Sequence, residues 1–212
     1  VSFPDETERI EAESVNKAVK GISFSMKRGE ILAVIGESGS GKSMTALSIA
    51  GLLPETAASS GQIIFDGSDL MSLTKKERRI IQGRDISMIF QEPMTSLNPV
   101  MKVGKQVEEV LLLHTDLDKA ERKRVVLQAL EDAGLEQPEK LFYSYPHQLS
   151  GGMRQRVMIA MAMILQPQLM IADEPTTALD RRIQDQILTL LKEINEKKQM
   201  GILFISHNLE VV

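Results

Sequence analysis

Apolar positions along the chain recur with two different periods. Short runs that are apolar at nearly every position, or at every second one, predict strands at VSF (1–3), KGISFSM (20–26), ILAVIG (31–36), GQIIFDG (61–67), DISMIF (85–90), LMIAD (169–173) and GILFIS (201–206). The first two flank a polar, charged hairpin region. The run at 31–36 is apolar almost throughout, the pattern of a buried strand covered on both faces. Helical spacing appears at 42–53, at 102–113, and at 118–134, where Asp118 and Glu121 stand in capping-box positions and Gly134 supplies a stop. It returns after Ser150, with Val157, Met161, Ile164 and Leu165 on one face, and after Asp173, with Ile183, Ile187, Leu190, Leu191 and Ile194 aligned. Strand signals vanish between Pro93 and Leu165. The chain therefore reads as one α/β domain, in which a helical arm at 92–165 is inserted into a core made of 1–91 and 166–212.

Composition narrows the class. The 212 residues suffice for one cored domain with an arm, and 42% hydrophobic content is ordinary for a globular chain. No cysteine is present, which excludes disulfides and thiolate metal sites and fits a reducing compartment. No apolar run approaches the roughly 18–20 residues of a membrane span, so membrane contact is expected only through a partner. A net charge of -4 and a pI near 5.5 argue against a broad cationic surface for nucleic acid. The basic run KAERKRV (119–125) is interleaved with apolar positions, as on a solvated helix face, and the twelve methionines read as core filler. Because the chain opens on Val1 and stops soon after a strand, it is expected to be a piece of a longer protein.

The chemistry begins at GESGSGKS, Gly36 to Ser43, which fits G-x-x-x-x-G-K-[ST] between a strand and a helix. Glycines at 36, 39 and 41 let the backbone curl so that several N–H groups converge on phosphate oxygens, and the helix beyond adds its positive end. Lys42 brings a cation to the outer phosphates, and the Ser43 hydroxyl suits Mg2+. The expected nucleotide contacts are Gly36, Ser38, Gly39, Ser40, Gly41, Lys42, Ser43 and Met44. LMIADEP then supplies Asp173 at a strand end as the acid on the metal side, and Glu174 as a general base for a water aligned on the γ-phosphate.

A second glycine turn, Ser150-Gly151-Gly152 in LSGGMRQR (149–156), also opens a helix with exposed N–H groups. The nucleotide held at 36–43 is already served within its own half of the molecule. The second turn is therefore expected to seal the γ-phosphate held by another copy or by a homologous subunit.

LSGGMRQR resembles the signature motif of ATP-binding cassette (ABC) ATPases. The family's other elements follow in order: the phosphate loop at 36–43, Gln91 after a strand, the acids at 173–174, TALD (177–180) and His207. The stretches MIFQEPMTSLNP (88–99) and YPHQLSGGMRQRVMIAMAM (145–163) are similar to the group importing oligopeptides, dipeptides and nickel. The resemblance implies a P-loop NTPase core with a mixed sheet, an N-terminal antiparallel β part and an inserted helical subdomain. It further implies that ATP and Mg2+ are bound, that Gln91 senses the metal and attacking water, that Asp180 reaches the opposite loop, that His207 holds the γ-phosphate, and that Phe3 stacks on adenine. Partners would be a second ATPase subunit, integral membrane permease subunits and, indirectly, a solute-binding protein, at the cytoplasmic face of the membrane. The segment 92–103 is the expected permease contact. His147 is expected to be structural, His114 a solvated helix end, and Tyr143 and Tyr145 packing residues of the arm. Arg181, Arg182 and Asn208 depart from the group's usual residues at positions without a chemical role. A soluble ABC ATPase acting on nucleic acid or ribosomes would call for paired cassettes, coiled-coil insertions or a basic face. A small-molecule kinase or GTPase would leave the signature unexplained.

Overall fold

The computed structural model describes residues 2–4, 15–91, 96–177 and 179–208, with side chains from Lys17 onward. Two strands carry the centre of the sheet, β7 (Leu169–Asp173) and β8 (Gly201–Ser206), and every residue of both is buried. They pair in parallel, and β3 (Ile31–Ile35) and β6 (Ile86–Ile89) flank them in the order β3-β8-β7-β6. A parallel sheet needs cover on both faces, and the period of two assigns each residue to one of them. Met170, Ala172, Ile202 and Phe204 join the core built with the helices α3 (Val103–His114), α4 (Lys119–Asp132), α6 (Gly151–Met163) and α7 (Arg181–Lys198). Leu169, Ile171, Leu203 and Ile205 join the opposite core with Ala46 and Ala50 of α1 (Lys42–Ala50). Asp173 continues the second series, so its carboxylate faces α1.

The remaining elements are short. An antiparallel pair joins β1 (Ser2–Pro4) to β2 (Val15–Lys17), a second joins β4 (Ile64–Phe65) to β5 (Ser68–Asp69), and α2 (Lys75–Ile81) and α5 (Pro138–Phe142) are short helices. Three expectations about element bounds and cover need correction. Residues 20–26 form no ladder; Gly21 adopts φ +87° and Ile22 and Phe24 stay exposed, while the strand pairing with β1 falls earlier, at 15–17. The stretch 31–36 is not covered on both faces, because β3 is the edge of the four-stranded sheet and Ile31 and Ile35 are 44% and 39% exposed. The helix expected to 53 stops at Ala50, where Gly51 turns left-handed at φ +69° and donates to the carbonyls of Leu47 and Ser48.

Two of the arm's helices, α3 and α4, are joined at a buried carboxylate. Glu108 of α3 is 2% exposed and accepts from Lys105 Nζ at 2.6 Å and from Arg122 Nε of α4 at 3.2 Å. Burial pushes its carboxyl up, but the hydrogen bonds and charges of the two cations outweigh that and hold it below the ordinary range. Asp118 caps α4 by accepting from the N–H groups of Ala120 and Glu121, while Glu121 returns the bond to the Asp118 N–H, as the spacing expects. His114 is half-buried rather than solvated; it closes α3 against Gly83, where a Cβ would sit 3.2 Å from its Nε2. Tyr143 is exposed on the edge of Phe142 and accepts from Lys123 Nζ at 3.1 Å, and Tyr145 stacks on His147 with ring centroids 5.6 Å apart. Gly104 lets α3 lie directly on α5, since a Cβ there would overlap the Phe142 ring. Gly104→Ala is expected to destabilise the chain by about 1–3 kcal/mol in urea unfolding, with part of the loss recovered when Phe142→Leu is added.

Candidate active site

The loop between β3 and α1 is built around its lysine. Lys42 is only 7% exposed, and its ammonium donates to the carbonyls of Gly36 at 2.7 Å and Glu37 at 2.8 Å. Among the described residues no carboxylate lies within ion-pair distance of it. A buried cation balanced by two neutral acceptors suits an anionic ligand, because charge taken from water is stable only when compensated. Gly41 adopts φ +92°, and a Cβ there would stand 2.5 Å from the Ala18 carbonyl oxygen, so the loop closes onto residues 18 and 19 only with glycine. Ser38, Gly39 and Ser40 form the exposed rim, and Met44 follows, half-buried, on the first turn of α1.

From the first turn of α1 the Ser43 hydroxyl donates to Asp173 Oδ1 at 3.1 Å, joining the loop to the end of β7. Asp173 is 4% exposed, and burial pushes its carboxyl above the ordinary carboxylate range. The Ser43 hydrogen bond opposes the rise, the neighbouring Glu174 charge adds to it, and Lys42 opposes it again. Hydroxyl and carboxylate oxygens side by side match the donor set of a hard divalent cation.

Glu174 turns the chain out of β7 with φ +47°, while its N–H still donates to the Ile205 carbonyl of β8 at 3.0 Å. Three groups converge on its Oε2. Gln91 Nε2 donates at 2.9 Å, the Thr177 hydroxyl donates at 2.9 Å, and His207 Nδ1 lies 3.0 Å away. Gln91, Glu174 and His207, expected together from three distant segments, thus meet at one carboxylate oxygen. Thr177 is an addition to the expected set. Its signal in the sequence is a hydroxyl three residues beyond an acid that opens a turn, a spacing at which the two side chains can bond.

The second glycine turn is arranged differently. Ser150 is exposed and caps α6 by accepting from the Met153 N–H at 3.3 Å. The side chains closest to where Gly151 and Gly152 would carry a Cβ are Leu179 and Ile183, not residues of the loop at 36–43. Asp180, also exposed, accepts from the Ile183 N–H at 3.1 Å and so caps α7. The aromatic expectation for Phe3 concerns a side chain outside the described residues, as do residues 92–95 of the expected permease contact.

Residues 19–177 match the model of the family described as ABC transporter. The chain belongs to the ABC transporter family. Among curated ABC proteins it is similar to the oligopeptide transport ATP-binding protein OppD of Bacillus subtilis, with 50% identity over 198 residues, 92% of this chain and 55% of the relative. It is likewise similar to the dipeptide transport ATP-binding protein DppD of Bacillus subtilis, with 52% identity over 92% of this chain and 59% of the relative. The chain therefore spans only between half and three-fifths of these two relatives. A solved dimer of the ATP-binding cassette MJ0796, in a post-hydrolysis state bound to ADP and Pi, superposes with a TM-score of 0.83 at 30% identity, covering 100% of this chain and 87% of the other. The fold is accordingly that of an ABC ATPase cassette.

The raised carboxyl of Asp173 has a consequence for stability. The folded chain holds that proton more tightly than the unfolded chain does, so this group's contribution falls as pH rises from the ordinary value of 3.8 through the raised one, and stays unfavourable above it. Without nucleotide, Asp173→Asn is expected to be more stable than the parent by about 1 kcal/mol at neutral pH. The difference should close below about pH 3 in urea titrations, where Asp173 is neutral in the folded and unfolded chains alike.

Proposed function

We propose that this chain is the ATP-hydrolysing module of an importer for peptides, working as one of two such modules against membrane permease subunits. The observation that carries the reading is the convergence of Gln91 and His207 on Glu174, one residue beyond Asp173, which itself accepts from Ser43 of the phosphate loop. The names of OppD and DppD support peptides rather than nickel complexes as the class of cargo. Among the described residues no helix is long and apolar enough to cross a membrane, so these residues supply no helical passage there.

In this reading Gly36, Ser38, Gly39, Ser40, Gly41, Lys42, Ser43 and Met44 hold the nucleotide's phosphates, and Phe3 packs on the base. Ser43, Gln91 and Asp173 hold Mg2+, which when bound neutralises phosphate charge and orients the outer oxygens. Lys42 exchanges its two loop carbonyls for phosphate oxygens. Glu174 accepts a proton from the attacking water, and His207, at the end of the neighbouring strand, holds the γ-phosphate and orients that water. Ser150, Gly151 and Gly152 cap the phosphate held by the other module, and Asp180 faces the other module's loop.

The reading divides binding from turnover. Glu174→Gln should still bind ATP, lose turnover by about 100-fold or more, and accumulate as a nucleotide-bound dimer in sedimentation velocity. A variant that hydrolyses at the parent's rate would contradict it. Ser150→Arg should leave nucleotide affinity of the separate chain within about twofold while abolishing hydrolysis; equal loss of both would put the turn in the chain's own pocket.

A further inference from the structure

Glu174 Oε2 takes all three of the carboxylate's contacts, from Gln91, Thr177 and His207, and among the described residues Oε1 takes none. We propose that Thr177 is a positioning residue for hydrolysis: by holding Oε2, its hydroxyl fixes the carboxylate plane so that Oε1 is the oxygen presented to the attacking water. The inference rests on the reading of Glu174 as general base.

The geometry favours Thr177 for this task over the other two partners. Gln91 and His207 are exposed side chains in separate segments, and on the reading above each also has nucleotide or metal to attend to. Thr177 has no such second duty. Its N–H donates to the Glu174 carbonyl at 3.1 Å and its hydroxyl to the same residue's carboxylate at 2.9 Å, so both ends of Glu174 are tied to one turn. That turn is itself anchored, since the Thr176 carbonyl accepts from the Leu179 N–H at 3.3 Å and from Gln184 Nε2 of α7 at 3.1 Å. It ends at Asp180, which caps α7. The backbone at φ +47° sets which side-chain conformations Glu174 can adopt, and a bond from the same turn selects its aim locally. The arrangement also makes the carboxylate's orientation depend on the turn 174–180, the segment whose exposed end faces away from the chain's own phosphate loop in this reading.

The test compares Thr177→Val, which keeps the shape and removes the hydroxyl, with Thr177→Ser, which keeps the hydroxyl, in the full-length protein assembled with its permease. Thr177→Val should lower kcat about tenfold with KM for ATP and equilibrium nucleotide affinity within about twofold of the parent, as expected for one lost bond to a charged group. Thr177→Ser should recover at least half of the parent's kcat. In crystals of the nucleotide-free protein, Thr177→Val should show Glu174 in a second side-chain rotamer, whereas Thr177→Ser should show the parent's. In a Glu174→Gln background, Thr177→Val should lower the residual turnover no further. An unchanged kcat with an unchanged Glu174 rotamer in Thr177→Val would overturn the proposal while leaving Glu174's role standing. Parallel loss of kcat and nucleotide affinity, or failure of serine to rescue, would reduce Thr177 to a structural residue. If Glu174→Gln itself turned over like the parent, the general-base reading would fall and this inference with it.

Discussion

The arrangement depends on the parallel register of three strands, β3, β8 and β7. Ile35 stands opposite Ser206, and Ile205 opposite Asp173, so the three carboxyl ends lie level. Each strand then releases one part of the site: β3 runs into the glycine loop, β7 into Asp173 and Glu174, and β8 into His207. Open parallel sheets gather ligands at this edge because loops from adjacent strands converge there. The period of two does the finer sorting, turning Asp173 toward Ser43 of α1 and leaving Met170 and Ala172 to the helices opposite. A slip of one residue in β7 would put the acid into the apolar core among α3, α4 and α6, where a charge would be several kcal/mol less stable.

Two glycine turns serve the fold in different ways. The first is packed: Gly41 closes on residues 18 and 19, and the Lys42 ammonium is enclosed. The second is presented: Ser150 is exposed, and Gly151 and Gly152 lean on Leu179 and Ile183 at the start of α7. Through those contacts the start of the signature helix rests on the same turn, 174–180, that carries Glu174 and Thr177. Arg156, further along α6, reaches the Ala133 carbonyl at the end of α4 at 2.9 Å, so the helix is braced from the arm side as well. Displacement of the signature helix would therefore reach Glu174 through a short path of packed and bonded groups.

Much of the fold and of the site is legible in the residues themselves, and the exceptions share a cause. The phosphate loop, Asp173 and the Asp118–Glu121 box can be read because each rests on local spacing that a single element enforces. The Thr74–Glu77 box that starts α2 carries the same local signal. Three features cannot be read locally. The edge position of β3 depends on which strands flank it, and the pairing of β2 with β1 depends on a register that the alternation at 20–26 imitates. The burial of Glu108 depends on α4 laying Arg122 against it, whereas its own helix signals only a surface pair with Lys105 three residues before it. Thr177 stands between the two groups: its three-residue spacing from Glu174 is a local signal, but one shared by many acid–hydroxyl pairs that do not bond.

The central claim, that each nucleotide is enclosed by the loop of one module and the Ser150 turn of another, can be tested by covalent trapping. The 212 residues contain no cysteine, so single cysteines placed at Ser38 and at Gly151 can be followed without background from this segment. The measurement is disulfide formation between two modules carrying one cysteine each, with and without ATP and Mg2+ in the Glu174→Gln background. The account predicts a cross-linked dimer that forms only when nucleotide is present and both positions are substituted. Absence of that product at saturating nucleotide, or an equal yield of it without nucleotide, would contradict it.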